Sequence, residues 1–302
     1  MHLSEVIKMT LEKRLGESYN FDEISKRLDN LGSVDEYYGR VKSKYTKFFS
    51  KNDTLEVGKF AIRFYRAKKE MFSAAQMWIE ADTAKKNGCL VGYFFLCYYS
   101  LFHSMQANLL ICPEIPNEKV INLSHSNVKK QFEEYYCKGK KSIIDSEIID
   151  LFEQLKQLRE LYSYAMPLNN PEDAIVKTEN TEYYIKLCFQ LLNVHSCILY
   201  NIVKSISYTY GAEELSLENY FHSSCFKINP ENGLLFIDEA DQDFWHDFRW
   251  DGGMDLMPMA LQLDHDFDEY GGYDDSRLRE QGFDKFDIAR HKAFSFIYKT
   301  IA

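Results

Sequence analysis

The segment CYYSLFHSMQANLL, residues 97–110, carries most of what can be predicted about this fold. It belongs to an apolar run from Cys89 to Cys112 that His103 and a few other polar side chains interrupt. Such a run predicts a buried amphipathic helix rather than a membrane span, which needs about 20 predominantly apolar residues. The dipeptide Cys112-Pro113 predicts the end of this helix, because proline cannot continue the hydrogen-bond ladder.

Further helices are predicted on both sides of this segment. Before it, apolar residues recur at three-, four- and seven-residue steps and predict a helix over 57–86. After it, Ser124 and Ser146 stand at the expected N-cap positions of two more helices. Another apolar-rich helix is predicted over 181–207. Several helices joined by short connectors are typical of a bundle.

The predicted fold class is mainly α, and the chain divides into three segments. Residues 57–210 are expected to form an up-and-down helical bundle. Residues 1–56 would be an N-terminal helical extension, and residues 211–302 an acidic C-terminal α(+β) region. In the last segment, Leu234-Leu235-Phe236-Ile237 predicts a short strand and 284–298 predicts a final helix.

Negative charge is concentrated near the C-terminus. The formal net charge of the whole chain is −10, yet the segment from Glu231 to Asp287 holds 17 acidic and 4 basic residues, a net charge of −13. Residues 1–230 are therefore close to neutral overall. Because phosphate binding needs a positive surface, RNA is expected only at a local basic patch of this N-terminal body. The acidic segment is expected to bind a basic protein partner or to cover a basic groove of its own bundle.

The cysteines and the N-terminus indicate a cytoplasmic protein. The seven cysteines form no C-x-x-C pair and their number is odd, so a disulfide framework is not predicted. The N-terminal residues carry charges throughout and lack the apolar core of a signal peptide. We therefore expect a reducing compartment and no contact with a membrane.

Two patterns in the acidic segment resemble metal-binding sequences but lack essential parts. Residues 234–239, LLFIDE, match the strand that holds Mg²⁺ in ATPases, but the chain contains no G-x-x-x-x-G-K-[ST] phosphate loop. Alternating carboxylates from Asp264 onward match the opening of a calcium loop, but Glu269 replaces the glycine of its sixth position. We therefore predict no metal and no cofactor, and interpret the second pattern as a solvated loop.

Three helix patterns occur in order along the predicted bundle. They are CYYSLFHSMQANL at 97–109, SHSN at 124–127 and LRELYSY at 158–164. In order and spacing they resemble A-Y-Y-A-x-F-H-A-A-x-A-L-L, T-H-S-G and L-R-x-x-A-D-Y of the HEPN family, compact helical bundles common in prokaryotic toxin and defence systems. The resemblance covers residues 60–208. It implies a homodimer, with the helices around Tyr99 and Arg159 near the interface.

The resemblance also indicates where catalysis would occur. Catalytic HEPN RNases share an R-x4–6-H pattern, in which arginine steadies the phosphate and histidine transfers the proton of the ribose 2′-OH. Arg159 occupies the arginine position, but no arginine and histidine anywhere in this chain have that spacing. His103 and His125, from neighbouring helices, and Tyr164, just beyond Arg159, are the candidates to complete the site.

Each candidate also has a purely structural interpretation. Arg159 near a helix C-terminus can interact with the helix dipole and a carboxylate. His103 in an apolar helix can be a core histidine with its hydrogen bonds satisfied. His125 beside an N-cap can be a surface residue, and Tyr164 can be a core or interface tyrosine whose hydroxyl finds a partner.

These observations leave three functional hypotheses open. The first is a dimeric HEPN-like module of a prokaryotic defence or toxin–antitoxin system that binds a partner and holds RNA or a nucleotide without HEPN-type catalysis. The second is a metal-independent RNase toxin that uses Arg159 with a displaced histidine or Tyr164. The third is an acidic partner-binding protein whose bundle serves only as a scaffold.

Overall fold

Helices make up most of the regular structure, as the sequence predicts. The computed structural model describes residues 3–15, 19–31, 34–121, 123–139, 142–165, 178–204, 214–229, 233–250, 256–266 and 284–302. The helices of the first half are α1 (Leu3–Leu15), α2 (Asp22–Leu31), α3 (Val34–Lys51), α4 (Thr54–Lys86), α5 (Leu90–Leu110), α6 (Asn117–Val120) and α7 (His125–Phe132). The later helices are α8 (Glu147–Glu160), α9 (Thr181–Val203), α10 (Glu214–Ser224), α11 (Glu239–Trp250), α12 (Met259–Asp266) and α13 (Asp284–Ile301).

The helices that follow α5 and their caps differ in detail from the prediction, and the predicted short strand is present. The helix predicted after Ser124 divides into α7 and a π-helix, Glu133–Cys137. Helix α8 likewise continues as a π-helix, Leu161–Ala165. Ser124 and Ser146 occupy the N-cap positions of α7 and α8, but neither side chain makes the capping hydrogen bond. The predicted strand is present as β2 (Leu234–Phe236), which pairs antiparallel with β1 (Phe226–Asn229).

The antiparallel pair α4 and α5 forms the centre of the bundle. The carboxylate of Asp53 caps α4 by accepting a hydrogen bond from the backbone N–H of Glu56 at 3.0 Å. Gly88 has a φ of 71° in the turn between the two helices, a conformation that favours glycine. Asn87-Gly88 and Cys112-Pro113 therefore delimit α4 and α5 as local sequence signals predict.

Helix α9 lies against elements from both ends of the chain, through Gln190. The side-chain oxygen of this buried residue accepts hydrogen bonds from the backbone N–H groups of Glu23 and Ile24, at 2.8 and 3.0 Å. Its amide nitrogen donates to the carbonyl of Thr300 at 3.0 Å. One amide therefore satisfies backbone groups at the start of α2 and at the end of α13.

Two further polar residues of α9 hold the C-terminal helices. Asn193 donates to the carbonyl of Ile301 at 3.3 Å and accepts from the backbone N–H of Ala260 at 3.2 Å. The hydroxyl of Ser196 accepts from the backbone N–H of Met259 at 2.9 Å. Helices of all three predicted segments therefore pack together, while the predicted boundaries at 56/57 and 210/211 stay predictions.

Helix α11 docks on α4 through aspartates and one aromatic ring. Lys69 of α4 donates to Asp238 at 2.8 Å and to Asp241 at 2.7 Å. The hydroxyl of Tyr65 donates to Asp241 at 2.9 Å, and its ring stacks on Phe244 with centroids 4.0 Å apart. Part of the acidic segment is thus neutralised by the bundle itself.

The sequence that resembles an ATPase strand has a structural explanation. After β2, the backbone N–H of Asp241 donates to the Asp238 carboxylate at 2.8 Å, and the N–H of Asp238 donates to the Asp241 carboxylate at 3.2 Å. This reciprocal pair is a capping box at the start of α11. In the other pattern, Asp266 pairs with Lys68 at 2.7 Å, and residues from 267 onward lie outside the described residues.

The seven cysteines are all free thiols. No helix in the described ranges combines the length and the apolar character needed to cross a bilayer.

Candidate functional site: a histidine and arginine cluster at α5, α7 and α8

Three of the four candidate residues lie near one another. His125 and Arg159 both contact Tyr98, and His103 lies beside the rings of Tyr99 and Phe102, which also contact His125. Helix α5 carries Tyr98 and His103, α7 begins at His125, and Arg159 lies in the last turn of α8. Both α7 and α8 pack against α5, so residues far apart in sequence meet on one face of that helix.

Tyr98 is the central residue of this cluster. Its side chain is only 1% exposed, and its ring packs against Phe152 of α8 with centroids 5.0 Å apart. The hydroxyl is hydrogen-bonded to Nδ1 of His125 at 2.8 Å. Burial raises the pKa of Tyr98 to about 12, so the phenol stays protonated at neutral pH.

Arg159 contacts the same ring. Its guanidinium carbon lies 5.1 Å from the centroid of Tyr98, which is within the range of a cation–π interaction. One terminal nitrogen donates to Glu160 at 3.2 Å. The Nε–H is buried and has no hydrogen-bond partner among the described residues. Arg159 therefore keeps donor capacity beyond its ion pair.

His125 lies at the surface, at the edge of an aromatic group. Its ring stacks on Phe102 with centroids 4.2 Å apart and meets the ring of Tyr99 edge-on at 5.5 Å. Partial burial lowers the pKa of His125, and the positive charges of Arg159 and Lys156 and the neighbouring His103 lower it further. The imidazole is therefore neutral at pH 7, the form that can accept a proton.

His103 is oriented by a carboxylate of α4. Its Nδ1 contacts the carboxylate of Glu70, whose other oxygen accepts from Nε of Arg66 at 3.2 Å. Glu70 is 4% exposed. Burial alone would raise the pKa of the Glu70 carboxyl, but the hydrogen bond from His103 and the charge of Arg66 lower it overall. Glu70 thus stays ionised, and its contact with Nδ1 fixes the orientation of the His103 ring.

Tyr164 lies apart from this group. It belongs to the π-helix that follows α8 and is 81% exposed. In the described part of the chain, no hydrogen bond or ring contact links it to Arg159 or to either histidine. The structure therefore brings Arg159, His103 and His125 together and leaves Tyr164 outside the cluster.

Tyr98 and Glu70 are members that sequence reasoning did not identify. Tyr98 belongs to a pattern that marks the fold, and nothing in that pattern separates it from its neighbour Tyr99. Glu70 lies within a predicted amphipathic helix, where a glutamate is expected on the solvated face. Only the packing of α4 on α5 shows that it is buried beside a histidine.

Comparisons with protein-family models, with curated proteins and with solved structures found no match for this chain. Within the described ranges, no group of three or more His, Cys, Asp or Glu side chains is arranged to hold a metal ion.

The cluster combines groups suited to proton transfer and anion binding. His125 offers a neutral imidazole at the surface, His103 a second imidazole held by Glu70, and Arg159 a fixed positive charge with an unpaired donor. Two imidazoles beside a guanidinium can serve a reaction in which one proton is taken, another is given, and negative charge develops between them.

Proposed function

We propose that this chain is a metal-independent, HEPN-like endoribonuclease in which His125 replaces the missing histidine of the R-x4–6-H pattern. The observation that carries the proposal is that Tyr98 joins His125 and Arg159, by a 2.8 Å hydrogen bond on one side and a 5.1 Å cation–π contact on the other. A histidine from a neighbouring helix thus lies beside the arginine, although no histidine follows that arginine at the family spacing.

The reaction follows from these residues. His125 takes the proton of a ribose 2′-OH, and the 2′ oxygen forms a bond to the adjacent phosphorus. Arg159 stabilises the negative charge that develops on the phosphoryl oxygens. We assign His103, held by Glu70, as the donor of a proton to the 5′ oxygen as its bond to phosphorus breaks. The products are a 2′,3′-cyclic phosphate and a free 5′-OH.

A dimer that places this cluster near its interface is the second part of the proposal. Four large apolar or aromatic side chains on α5 and on the π-helix after α8 are exposed: Val91, Phe95, Leu161 and Tyr164. Phe95 also contacts the ring of Tyr99 at 4.7 Å, next to the histidines. An apolar patch exposed on packed neighbouring elements marks an association site, and α5 packs against this π-helix. Work in a prokaryotic defence or toxin–antitoxin system is the biological setting that the HEPN resemblance supports.

Cleavage of defined RNAs by purified protein in the presence of a chelator tests the catalytic part. We expect wild type to produce cyclic phosphate ends. The cleavage rates of His125→Asn and Arg159→Ala should each be at least about 100-fold lower, because a general base or a charge-stabilising group contributes about that factor. His246→Asn, a change at an exposed histidine of α11, is the matched control and should cleave like wild type. Equal cleavage by His125→Asn and wild type would refute the assignment, and no cleavage by any of them would favour an RNA-holding or partner-binding module.

Light scattering coupled to size-exclusion chromatography tests the dimer. Phe95→Glu should shift the protein from dimer to monomer, because it puts a charge into the expected apolar interface. Tyr298→Glu changes another exposed aromatic residue, on α13, and should leave the mass unchanged. A monomeric wild type would refute the proposed dimer. It would not affect the proposed RNase activity, which the cleavage assay tests separately.

A further inference from the structure

Helix α3 forms one wall of a cleft on the N-terminal side of the bundle. The cleft has a volume of about 510 Å³ and lies between α3, α9, the residues that follow α5, and the π-helix after α7 with its following turn. None of the residues of the histidine and arginine cluster lines it. Helix α3 packs mainly against α9. An element with one main packing partner and open space beside it can separate locally from the rest of a fold.

Two polar contacts join the middle of α3 to the residues that follow α5. The hydroxyl of Tyr45 donates to the carbonyl of Ile111 at 2.9 Å, and Lys44 pairs with Glu114 at the surface. The ion pair is half exposed, so it contributes little to holding the helix. The contact between α3 and α9 is therefore important for keeping α3 in place.

A buried histidine of α9 lies at the centre of that contact. His195 is 6% exposed, and its Nε2 is hydrogen-bonded to the hydroxyl of Tyr37 at 2.7 Å. The rings of Tyr37, Tyr45 and Tyr136 lie 6.1, 6.3 and 6.1 Å from the imidazole, centroid to centroid. Burial raises the pKa of these tyrosines and of Cys112, which also lines the cleft, so all four groups are uncharged at neutral pH. The Nδ1 atom is buried and has no hydrogen-bond partner among the described residues.

The charges around this imidazole do not suit an imidazolium. The charged groups that act on it are two cations of α3, Lys44 and Arg40. The carboxylates that line the cleft are already paired, Glu114 with Lys44 and Glu134 with Lys138 at 3.2 Å. Within the described ranges, no carboxylate contacts the ring. A proton added to it would therefore be a buried charge without a counter-ion, which is strongly unfavourable.

Most of what opposes this charge belongs to α3. Burial lowers the pKa of His195 to about 3, with Lys44 and Arg40 adding to the effect, whereas an exposed histidine has a pKa of about 6.5. Both cations and two of the three tyrosine rings, Tyr37 and Tyr45, are on α3. If α3 separates from α9, the imidazole becomes hydrated and can bind a proton. The contact is therefore at full strength above about pH 6.5 and weakens as the pH falls below that value.

We propose that His195 makes α3 a pH-sensitive cover of this cleft. In mild acid, protonation of His195 releases the middle of α3 from α9 and opens the cleft to solvent. The C-terminal end of α3 stays attached, because the rings of Phe48 and Phe49 contact Phe60 of α4 at 4.9 and 5.9 Å. This device does not depend on the proposed RNase activity.

Hydrogen exchange of the full chain, followed by mass spectrometry between about pH 5 and pH 8 and corrected for the intrinsic exchange rate, tests the proposal. The opening equilibrium of residues 37–47 should rise by up to about tenfold for each pH unit below about 6.5, because the open form binds one more proton. Residues 60–75 of α4 should show no such rise, and α3 should close again at neutral pH. An equal rise in both helices would indicate global unfolding, and no rise in α3 would exclude control by the histidine. Either result would overturn the proposal.

Variants identify the group that binds the proton. His195→Gln keeps an acceptor for the hydroxyl of Tyr37 but cannot be protonated, so the exchange of α3 should become independent of pH. Tyr37→Phe removes that hydrogen bond and keeps the imidazole, so α3 should open more at every pH and still respond to acid. His246→Asn, at an exposed histidine of α11, is the matched control and should behave like wild type. A wild-type pH response in His195→Gln would assign the effect to another group and refute the proposal.

Discussion

The guanidinium of Arg159 lies 5.1 Å above the ring whose hydroxyl group is hydrogen-bonded to His125. Tyr98 therefore acts as a shared support for two charged or chargeable groups on different helices. It fixes the distance between them more firmly than a direct contact of two surface side chains would, since its own ring is buried. An arginine and a histidine from two different helices therefore contact the same tyrosine, although no arginine and histidine have the R-x4–6-H spacing along the sequence.

The first prediction concerns the charge of Arg159. Its positive charge is the largest contribution after burial to the lowered pKa of His125, so Arg159→Gln should raise that pKa. Titration of the histidine ring protons by NMR measures it. Lys156→Gln should raise the same pKa by a smaller amount, because Lys156 contributes least among the neighbouring charges. An unchanged or lower pKa in Arg159→Gln would contradict the proximity of the two groups.

The second prediction concerns the buried carboxylate that orients His103. Glu70→Ala should lower the free energy of unfolding by about 1–3 kcal/mol, because it leaves Arg66 and His103 without a buried acceptor. Glu70→Gln keeps a hydrogen-bond acceptor, so it should lower the free energy of unfolding by less than Glu70→Ala does. Urea denaturation measures both. Glu80→Gln, on the exposed face of the same helix, should change the stability by less than about 0.5 kcal/mol.

The same carboxylate predicts a pH dependence. The pKa of Glu70 in the fold lies below its ordinary value of 4.5, so its contribution to stability is complete above that value and is lost as the pH falls through the folded pKa. The stability difference between wild type and Glu70→Gln should therefore shrink below about pH 4.5. A difference that grows on acidification would show that the carboxyl is not ionised in the fold.

The third prediction concerns the docking of α11 on α4. Asp241 accepts hydrogen bonds from both Lys69 and Tyr65 and is 5% exposed. Asp241→Asn removes the charge that pairs with Lys69, so hydrogen exchange of residues 239–250 should become faster, by a factor that corresponds to about 1–3 kcal/mol. Asp247→Asn changes an exposed aspartate of the same helix and should leave the exchange unchanged. Equal exchange in the two variants would show that the aspartate contacts do not hold α11.

Local signals explain which parts of the fold could be predicted. Asn87-Gly88 and Cys112-Pro113 mark the ends of their helices through local backbone preferences, and β2 follows from four apolar residues in a row. The contacts of Gln190 could not be predicted, because an amide inside an apolar helix does not reveal which distant backbone groups it pairs with. For this reason the sequence suggested an appended C-terminal region, while α13 packs against α4 and α9.

The candidate site could also be predicted only in part from the sequence. Residue chemistry selected Arg159, His103 and His125, because few other side chains suit phosphate binding and proton transfer. Tyr98, which contacts Arg159 and His125, and Glu70, which contacts His103, emerge only from the packing of α4, α7 and α8 around α5. Tyr164 was selected for its position next to Arg159, but the π-helix leaves it largely exposed.

The last prediction concerns Arg63, whose side chain is fully buried and has no carboxylate partner among the described residues. Its guanidinium donates to the carbonyls of Leu110 and Cys112, each at 2.9 Å, and to further oxygens beside them. These carbonyls lie at the C-terminal end of α5, where the helix dipole is negative. The dipole and the hydrogen bonds therefore together compensate the buried positive charge of Arg63. Burial lowers the pKa of Arg63, but a guanidinium stays protonated at any pH the fold survives.

Arg63→Met keeps much of the volume and removes every one of these donors. We expect a loss of at least about 3 kcal/mol in the free energy of unfolding, because several buried carbonyls lose their only charged donor at once. Arg63→Lys should lose nearly as much, since one ammonium cannot reach groups that a planar guanidinium spans. Arg14→Met, which breaks an exposed pair with Asp35, should cost less than about 1 kcal/mol in the same urea titration. A loss below 1 kcal/mol for Arg63→Met would mean that α5 ends without needing the arginine, and that another group satisfies its carbonyls.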